Sequence, residues 1–187
     1  MAVKTFTTGE VLTAADTNTY LANAYGVLVT GGSFSGVSNV IVNNCFTSTY
    51  RNYRLVVHIT AYTAAGAVEG QINLRASGTN SSVSYYNVRV GASYGAGNVL
   101  EAASNTTRWF VGRSNGSGSA GGANVFDINI FGPQIADRTW YSGTAADGNY
   151  VASVGGYHDV QTAYDGFQMT YGANITGTYR VYGLRDS

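Results

Sequence analysis

Charge is scarce in this chain. Only 11% of its 187 residues are charged, ten basic against ten acidic, and the net charge is zero, where an average domain carries about 25%. A neutral chain has neither the basic stripe that phosphate backbones require nor the polybasic patch that an anionic membrane attracts, which argues against nucleic acid and membrane as partners. Cysteine is nearly absent. Cys45 has no second cysteine to bridge, and with only His58 and His158 beside it no metal cluster can be assembled, so neither metal nor cofactor is expected. Cys45 reads as a small buried hydrophobe. No apolar run approaches the ~20 residues that span a bilayer, and MAVKTFTTGEVLT at the start lacks the apolar core of a secretory signal. The expectation is a soluble chain made in the cytoplasm.

What is present points to a folded, associating protein. Hydrophobic residues make up 44% and aromatic residues 13%, far from the charge-rich, aromatic-poor composition of disordered chains. The length suits one domain with a sizeable core. Solubility rests on neutral side chains, with 20 Thr, 16 Ser and 16 Asn, and an uncharged surface does little to repel copies of itself. Nine of the ten basic residues are Arg, only Lys4 is Lys, and there are 15 Tyr. Tyr and Arg are enriched in protein interfaces while Lys is depleted, so the composition reads as that of an assembly subunit. A codon bias towards Arg would leave the same skew.

Along the chain the period changes once. Residues 1–26 read as a docking arm: Thr13 and Asp16 form a capping pattern, Gly26 suits a C-cap, and a short helix is expected over about 14–24. So short a helix needs a partner, and Phe6, Leu12, Leu21 and Tyr25 are the candidate docking residues. From Val27 the period is 2. Tyr53, Leu55, Val57 and Ile59 alternate with Arg54, His58 and Thr60, and Val68, Gly70, Ile72 and Leu74 with Glu69, Gln71, Asn73 and Arg75. The same pattern sets Tyr86, Val88 and Val90 against Asn87 and Arg89, Phe126, Ile128 and Ile130 against Asp127 and Asn129, Phe167, Met169 and Tyr171 against Gln168 and Thr170, and Tyr179 and Val181 against Thr178 and Arg180. Turn signals lie between at Ala65-Gly66, Ser77 to Asn80, Asp147 to Asn149 and Asp165-Gly166. Short one-faced strands without intervening helices exclude a βαβ fold. The expected fold class is all-β, an antiparallel β-sandwich over residues 27–187, with a jelly roll as first choice and an immunoglobulin-like sandwich open. The interior should hold Leu55, Val57, Ile59, Ile72, Leu74, Ile128, Ile130 and Val181.

Few motifs suggest chemistry. Gly116, Gly118 and Gly121 spell a dinucleotide-binding spacing, but Asn124 to Phe131 behind them alternates as a strand where that chemistry needs a helix. The run Gly112–Gly122 reads better as a surface loop. N-x-S/T sequons start at Asn80, Asn105, Asn115 and Asn174, about the number chance alone gives. His158, Asp159 and Ser153 invite a triad reading, yet neighbours in a strand point to opposite faces, so Asp159 would not orient His158. Asp147 and Asp165 precede Gly and suit turns, Asp147-Gly148-Asn149 lacks the further ligands of a calcium loop, and Asp127 lies on a polar strand face. No enzymatic turnover is expected. Trp109 and Trp140 could stack on sugar rings or simply fill core and contacts; Trp140 with Tyr141 is the candidate glycan contact.

Three segments carry a family resemblance: KTFTTGEVLTAADTNTYLAN (Lys4 to Asn23), NNCFTSTYRNYRLVV (Asn43 to Val57) and YDGFQMTYGANITGTYRVYGLR (Tyr164 to Arg185). Together, about a third of the chain, they resemble small virion proteins of tailed bacteriophages of the tail fibre or minor tail type. The resemblance implies a structural subunit of the virion and does not settle which part of the particle it occupies. From the arm and the composition, the expected role is a tail appendage that anchors by residues 1–26 and meets the host surface, with other virion proteins and a host glycan as partners. Capsid decoration and a free lectin-like module are the alternatives. It transfers no site residues. Closed symmetry is the usual outcome for such a subunit, and by fold analogy a homotrimer is expected.

Overall fold

Period-2 alternation governs most of the described residues. The structure, a computed structural model, describes residues 7–11, 13, 26–63, 68–93, 97–114, 124–147 and 150–184. Every element among them is a strand: β1 (Val27–Val42), β2 (Asn52–Tyr62), β3 (Val68–Ala76), β4 (Thr79–Asn80), β5 (Tyr85–Ser93), β6 (Gly97–Thr106), β7 (Trp109–Ser114), β8 (Asn124–Phe131), β9 (Thr139–Asp147), β10 (Tyr150–His158) and β11 (Gly166–Leu184). The helix expected over 14–24 and the docking residues Phe6, Leu12, Leu21 and Tyr25 lie outside the described residues. So do residues 115–123 of the expected Gly112–Gly122 loop, whose start instead belongs to β7.

Hydrogen bonds join all eleven strands, each pairing antiparallel, into one curled sheet in the order β4-β3-β11-β2-β8-β9-β10-β5-β6, with β1 also on β11 and β7 also on β3. The curl is that of a half-barrel, where a sandwich of two separate sheets in jelly-roll order was expected. The difference originates in β11. Its first half, Gly166–Tyr171, pairs with β3, and its second half, Ile175–Leu184, pairs with β2, while β1 follows it from Val27↔Gly183 to Val42↔Phe167. One strand of 19 residues therefore belongs to both limbs and turns the sheet between them. The six-residue β7 pairs in the ladder with β3 and packs across β5, β8, β9 and β10, closing the interior from the other side.

The core follows the alternation where both neighbours of a strand are apolar. Leu55, Val57, Ile59, Ile72, Leu74, Ile128, Ile130 and Val181 are all fully buried, as is Trp109. Strand β5 reverses the expectation. Tyr85, Asn87 and Arg89 point inward, while Val88 and Val90 are 46% and 51% exposed. Interior partners decide the register. The Tyr85 ring stacks on His158 at 4.0 Å and meets Trp109 edge-on at 5.6 Å, and its hydroxyl accepts from Leu74 N at 2.9 Å and donates to Ser81 O at 3.1 Å. Burial of an aromatic ring with its hydroxyl satisfied outweighs burial of two valines. The turn at Ser77-Gly78 is confirmed by φ of 49° and 79°. Asp165 serves differently: its carboxylate accepts from Ser77 N at 2.9 Å and its carbonyl from Cys45 N at 2.8 Å and Phe46 N at 3.0 Å, so it ties a junction together.

Two outcomes follow from this packing. Ile128→Ala should lower unfolding stability by about 2–5 kcal/mol, read from denaturant titration. Cys45 is 1% exposed and burial pushes its thiol pKa up to about 12, so a thiol reagent should label it only in denaturant. Rapid labelling of the native protein would contradict this placement.

Candidate functional site

The outward faces of β9, β10, β5 and β6 form one continuous surface. Alternation carries Trp140, Ser142 and Thr144 outward on β9, Val151, Ser153, Gly155 and Tyr157 on β10, Tyr86, Val88 and Val90 on β5, and Leu100 and Ala102 on β6. None of these residues is charged. Leu100 is 76% exposed and Val151 54%. At one end the register sets Trp140 opposite Tyr157 and Tyr157 opposite Tyr86. The rings form a row: Tyr86 and Tyr157 lie stacked with centroids 4.6 Å apart and planes 10° apart, and Trp140 follows at 5.0 Å, tilted by 42°. The Arg138 guanidinium sits 5.2 Å over the Tyr157 ring and donates to both carboxylate oxygens of Asp159 at 2.6 and 3.2 Å. This pairing lowers the Asp159 pKa and raises that of Arg138. Beside the rings a shallow hollow of about 410 Å³ is floored where Gly155 and Ala102 leave room between Tyr86, Val88 and Tyr157.

Of the expected glycan contacts, Trp140 is 47% exposed and available. Tyr141 is not. It is 2% exposed, and its hydroxyl, donated to Phe110 O at 2.9 Å, also lies 3.2 Å from Asn87 Oδ1. Adjacent strand residues cannot both face solvent, so Tyr141 belongs to the core. Trp109 likewise fills the core. Tyr157 escaped the sequence reading, although counting outward from the Asp147↔Tyr150 pair of the β9–β10 hairpin places it opposite Trp140. Tyr86 has no such local signal, because β5 meets β10 only through the long-range fold.

His158 and Asp159 separate as the alternation requires. Asp159 bonds to Arg138 on the outside, whereas His158 is fully buried. The Nδ1 of His158 is 3.3 Å from the Ser84 carbonyl, and assigning the proton there leaves Nε2 to accept from Tyr164 OH at 2.6 Å and Ser81 Oγ at 3.0 Å. Ser153 lies on the exposed outer face. The histidine thus ties β10 to the segments on either side of it.

No protein-family model matches the chain, and no curated protein matches it. Among solved structures, the chain is similar to the CBM2 module of the evolved Dit of Lactobacillus casei BL23 phage J-1, with 11% identity over 84% of this chain and 70% of that one, at a TM-score of 0.24. A likeness of that size defines neither fold nor activity for this chain.

Burial lowers the His158 pKa below its usual 6.5. The unfolded chain therefore takes up a proton that the folded chain refuses, and stability must fall as pH drops below about 6.5 until the folded histidine itself titrates. The urea midpoint should decrease between about pH 7.5 and pH 5, and His158→Gln should remove that dependence. An equally steep slope in the variant would refute the assignment.

Proposed function

We propose that the protein is a structural subunit of a tailed-bacteriophage virion, a tail appendage that assembles as a closed homotrimer through the outer face of β5, β6, β9 and β10. The observation that carries this reading is the uncharged outward surface of those strands, with Val88, Val90, Leu100 and Val151 between 46% and 76% exposed. Four strands about 4.8 Å apart and some seven residues long at about 3.3 Å rise project to roughly 440 Å². Patches of that size on a soluble subunit mark contact sites. One partner of a standard interface contributes about 800 Å², so this face supplies about half, and the N-terminal arm, with Phe6, Leu12, Leu21 and Tyr25, supplies further contacts to a neighbouring copy or to another virion protein. The resemblance of the opening, second and closing segments to small tail proteins supports the placement in a tail.

Light scattering of the full chain at micromolar concentration should give about three chain masses, and Val151→Glu should give one, with the β-sheet circular dichroism of both unchanged. A wild-type chain that stays monomeric contradicts the proposal. Antibody labelling of purified particles should mark the tail; an even cover over the head would reassign the subunit to capsid decoration.

A further inference from the structure

The pairing register draws one transverse row across the end of the sheet. Val27 opposes Gly183, so Gly26, one residue earlier, stands at the level of Leu184, and a Cβ there would meet the Gly183 carbonyl oxygen and the Leu184 side chain, each at 3.2 Å. From Leu184 the ladder runs to Asn52, Phe131, Trp140, Tyr157 and Tyr86 in turn. Gly26 has φ of 123°, a conformation open to glycine that turns the chain out of the strand line. The N-terminal segment therefore joins the sheet at the level of Phe131 and Trp140. On the same row, between the start of β2 and the β8–β9 connection, lies a groove of about 190 Å³ with Arg51, Asn52, Phe131, Ile135 and Trp140 in its lining. Its three large apolar side chains, Phe131, Ile135 and Trp140, are 37%, 39% and 47% exposed, the kind of grouping that marks a contact site. Two of its charged residues are already engaged: Arg138 Nε donates to Asp159 at 2.6 Å, and Asp137 Oδ1 accepts from the Arg138 backbone N–H at 2.7 Å.

We infer that residues 14–25 of the same chain fold back along this row and seat Leu21 in the groove, against Phe131, Ile135 and Trp140. Reach permits it. Three strand spacings separate β1 from Phe131 on β8, about 14 Å, and the groove begins one spacing nearer, at Asn52. The five residues from Gly26 back to Leu21 span about 7.5 Å as a helix and about 17 Å extended, so a leucine side chain arrives at the groove from either conformation. The chemistry agrees. Only Asp16 is charged among the twelve residues 14–25, and its sign is opposite to that of the Arg51 guanidinium on the groove. A tether this short holds the segment at an effective concentration on the order of millimolar, and docking within one chain spares the translational freedom that a separate partner would lose. This seat presupposes the reading of residues 1–26 as a docking arm. The arm then borders the outer face at Trp140, takes none of Val88, Val90, Leu100 and Val151, and adds its other side to the subunit contacts.

The test is cross-linking of the full chain carrying Leu21→Cys and Ile135→Cys with a short bis-maleimide. The comparison pairs Leu21→Cys with Val125→Cys, because Val125 is exposed to a similar degree, 41%, and lies six residues from Phe131 along β8, about 20 Å away. The 21–135 link should form within one chain, about tenfold faster than the 21–125 link, and should persist in the Val151→Glu background that splits the proposed oligomer. Trp140→Cys takes the place of Ile135→Cys should that variant lose its native circular dichroism. Chymotrypsin, which cuts after residues such as Tyr20, Leu21 and Tyr25, supplies a second measurement: Ile135→Asp should raise the rate of cleavage there about tenfold with the β-sheet circular dichroism unchanged. Equal rates for the two cysteine pairs, a 21–135 link between chains instead of within one, its loss in the Val151→Glu chain, or unchanged cleavage by chymotrypsin would overturn the seat. The light-scattering mass reports on the subunit proposal separately, whichever result the cross-links give.

Discussion

Everything in this molecule hangs on the pairing of β11. A strand of 19 residues uses one edge twice, for β3 along its first half and β2 along its second, and gives its other edge to β1 on both sides of a register break between Thr170 and Ile175. Backbone hydrogen bonds in such a ladder are modest one by one but leave few alternatives, because a slip of one residue would turn every side chain to the wrong face. Two glycines make the arrangement possible. A Cβ on Gly166 would run into the carbonyl oxygen of Val42, and one on Gly177 into that of His58, so the neighbouring backbones close in only because no side chain stands there.

A chain poor in charge builds its interior partly from neutral polar groups. Asn87 is the clearest case. Its side-chain oxygen accepts from Phe110 N at 2.9 Å and lies 3.2 Å from the Tyr141 hydroxyl, and its amide donates to Thr106 Oγ1 at 3.1 Å, which links β5, β6, β7 and β9. Satisfied in this way, a buried amide specifies one arrangement of strands. The consequence reaches the surface. With Tyr85, Asn87 and Arg89 committed to the interior, Tyr86, Val88 and Val90 must face outward, and the proposed contact surface exists because the interior of β5 is polar.

How far the fold could be read from the sequence depended on where each strand's partners lie. In β2, β3, β8 and β11 the apolar positions of the alternation fall on the buried face, so Leu55, Ile72, Ile128 and Val181 were legible from periodicity alone, although Asn73 and Arg75 of β3 and Asn124 of β8 are buried as well. In β5 the same periodicity pointed to the wrong face, since Tyr85 finds its stack and hydrogen bonds in residues far away in sequence. Strand β7 was hidden for another reason: its one glycine, Gly112, opens a glycine-rich run that resembles a loop, and its ladder partners lie on β3, far away in sequence. At the candidate site Trp140 was legible and Tyr141 was misplaced by a single step of the alternation. Arg89 had been read as the polar face of a strand, and nothing local announces that it is buried between two glutamates brought from β3 and β6.

Strand β11 binds both limbs of the sheet into one cooperative unit. Native-state hydrogen exchange tests it most directly, by comparing the amides of β11 that face β3, around Met169, with those that face β2, around Arg180. Both groups should open with one free energy, equal to that of global unfolding in denaturant. Exchange of the Met169 region at a clearly lower free energy, with the Arg180 region still protected, would show two separable limbs and contradict it.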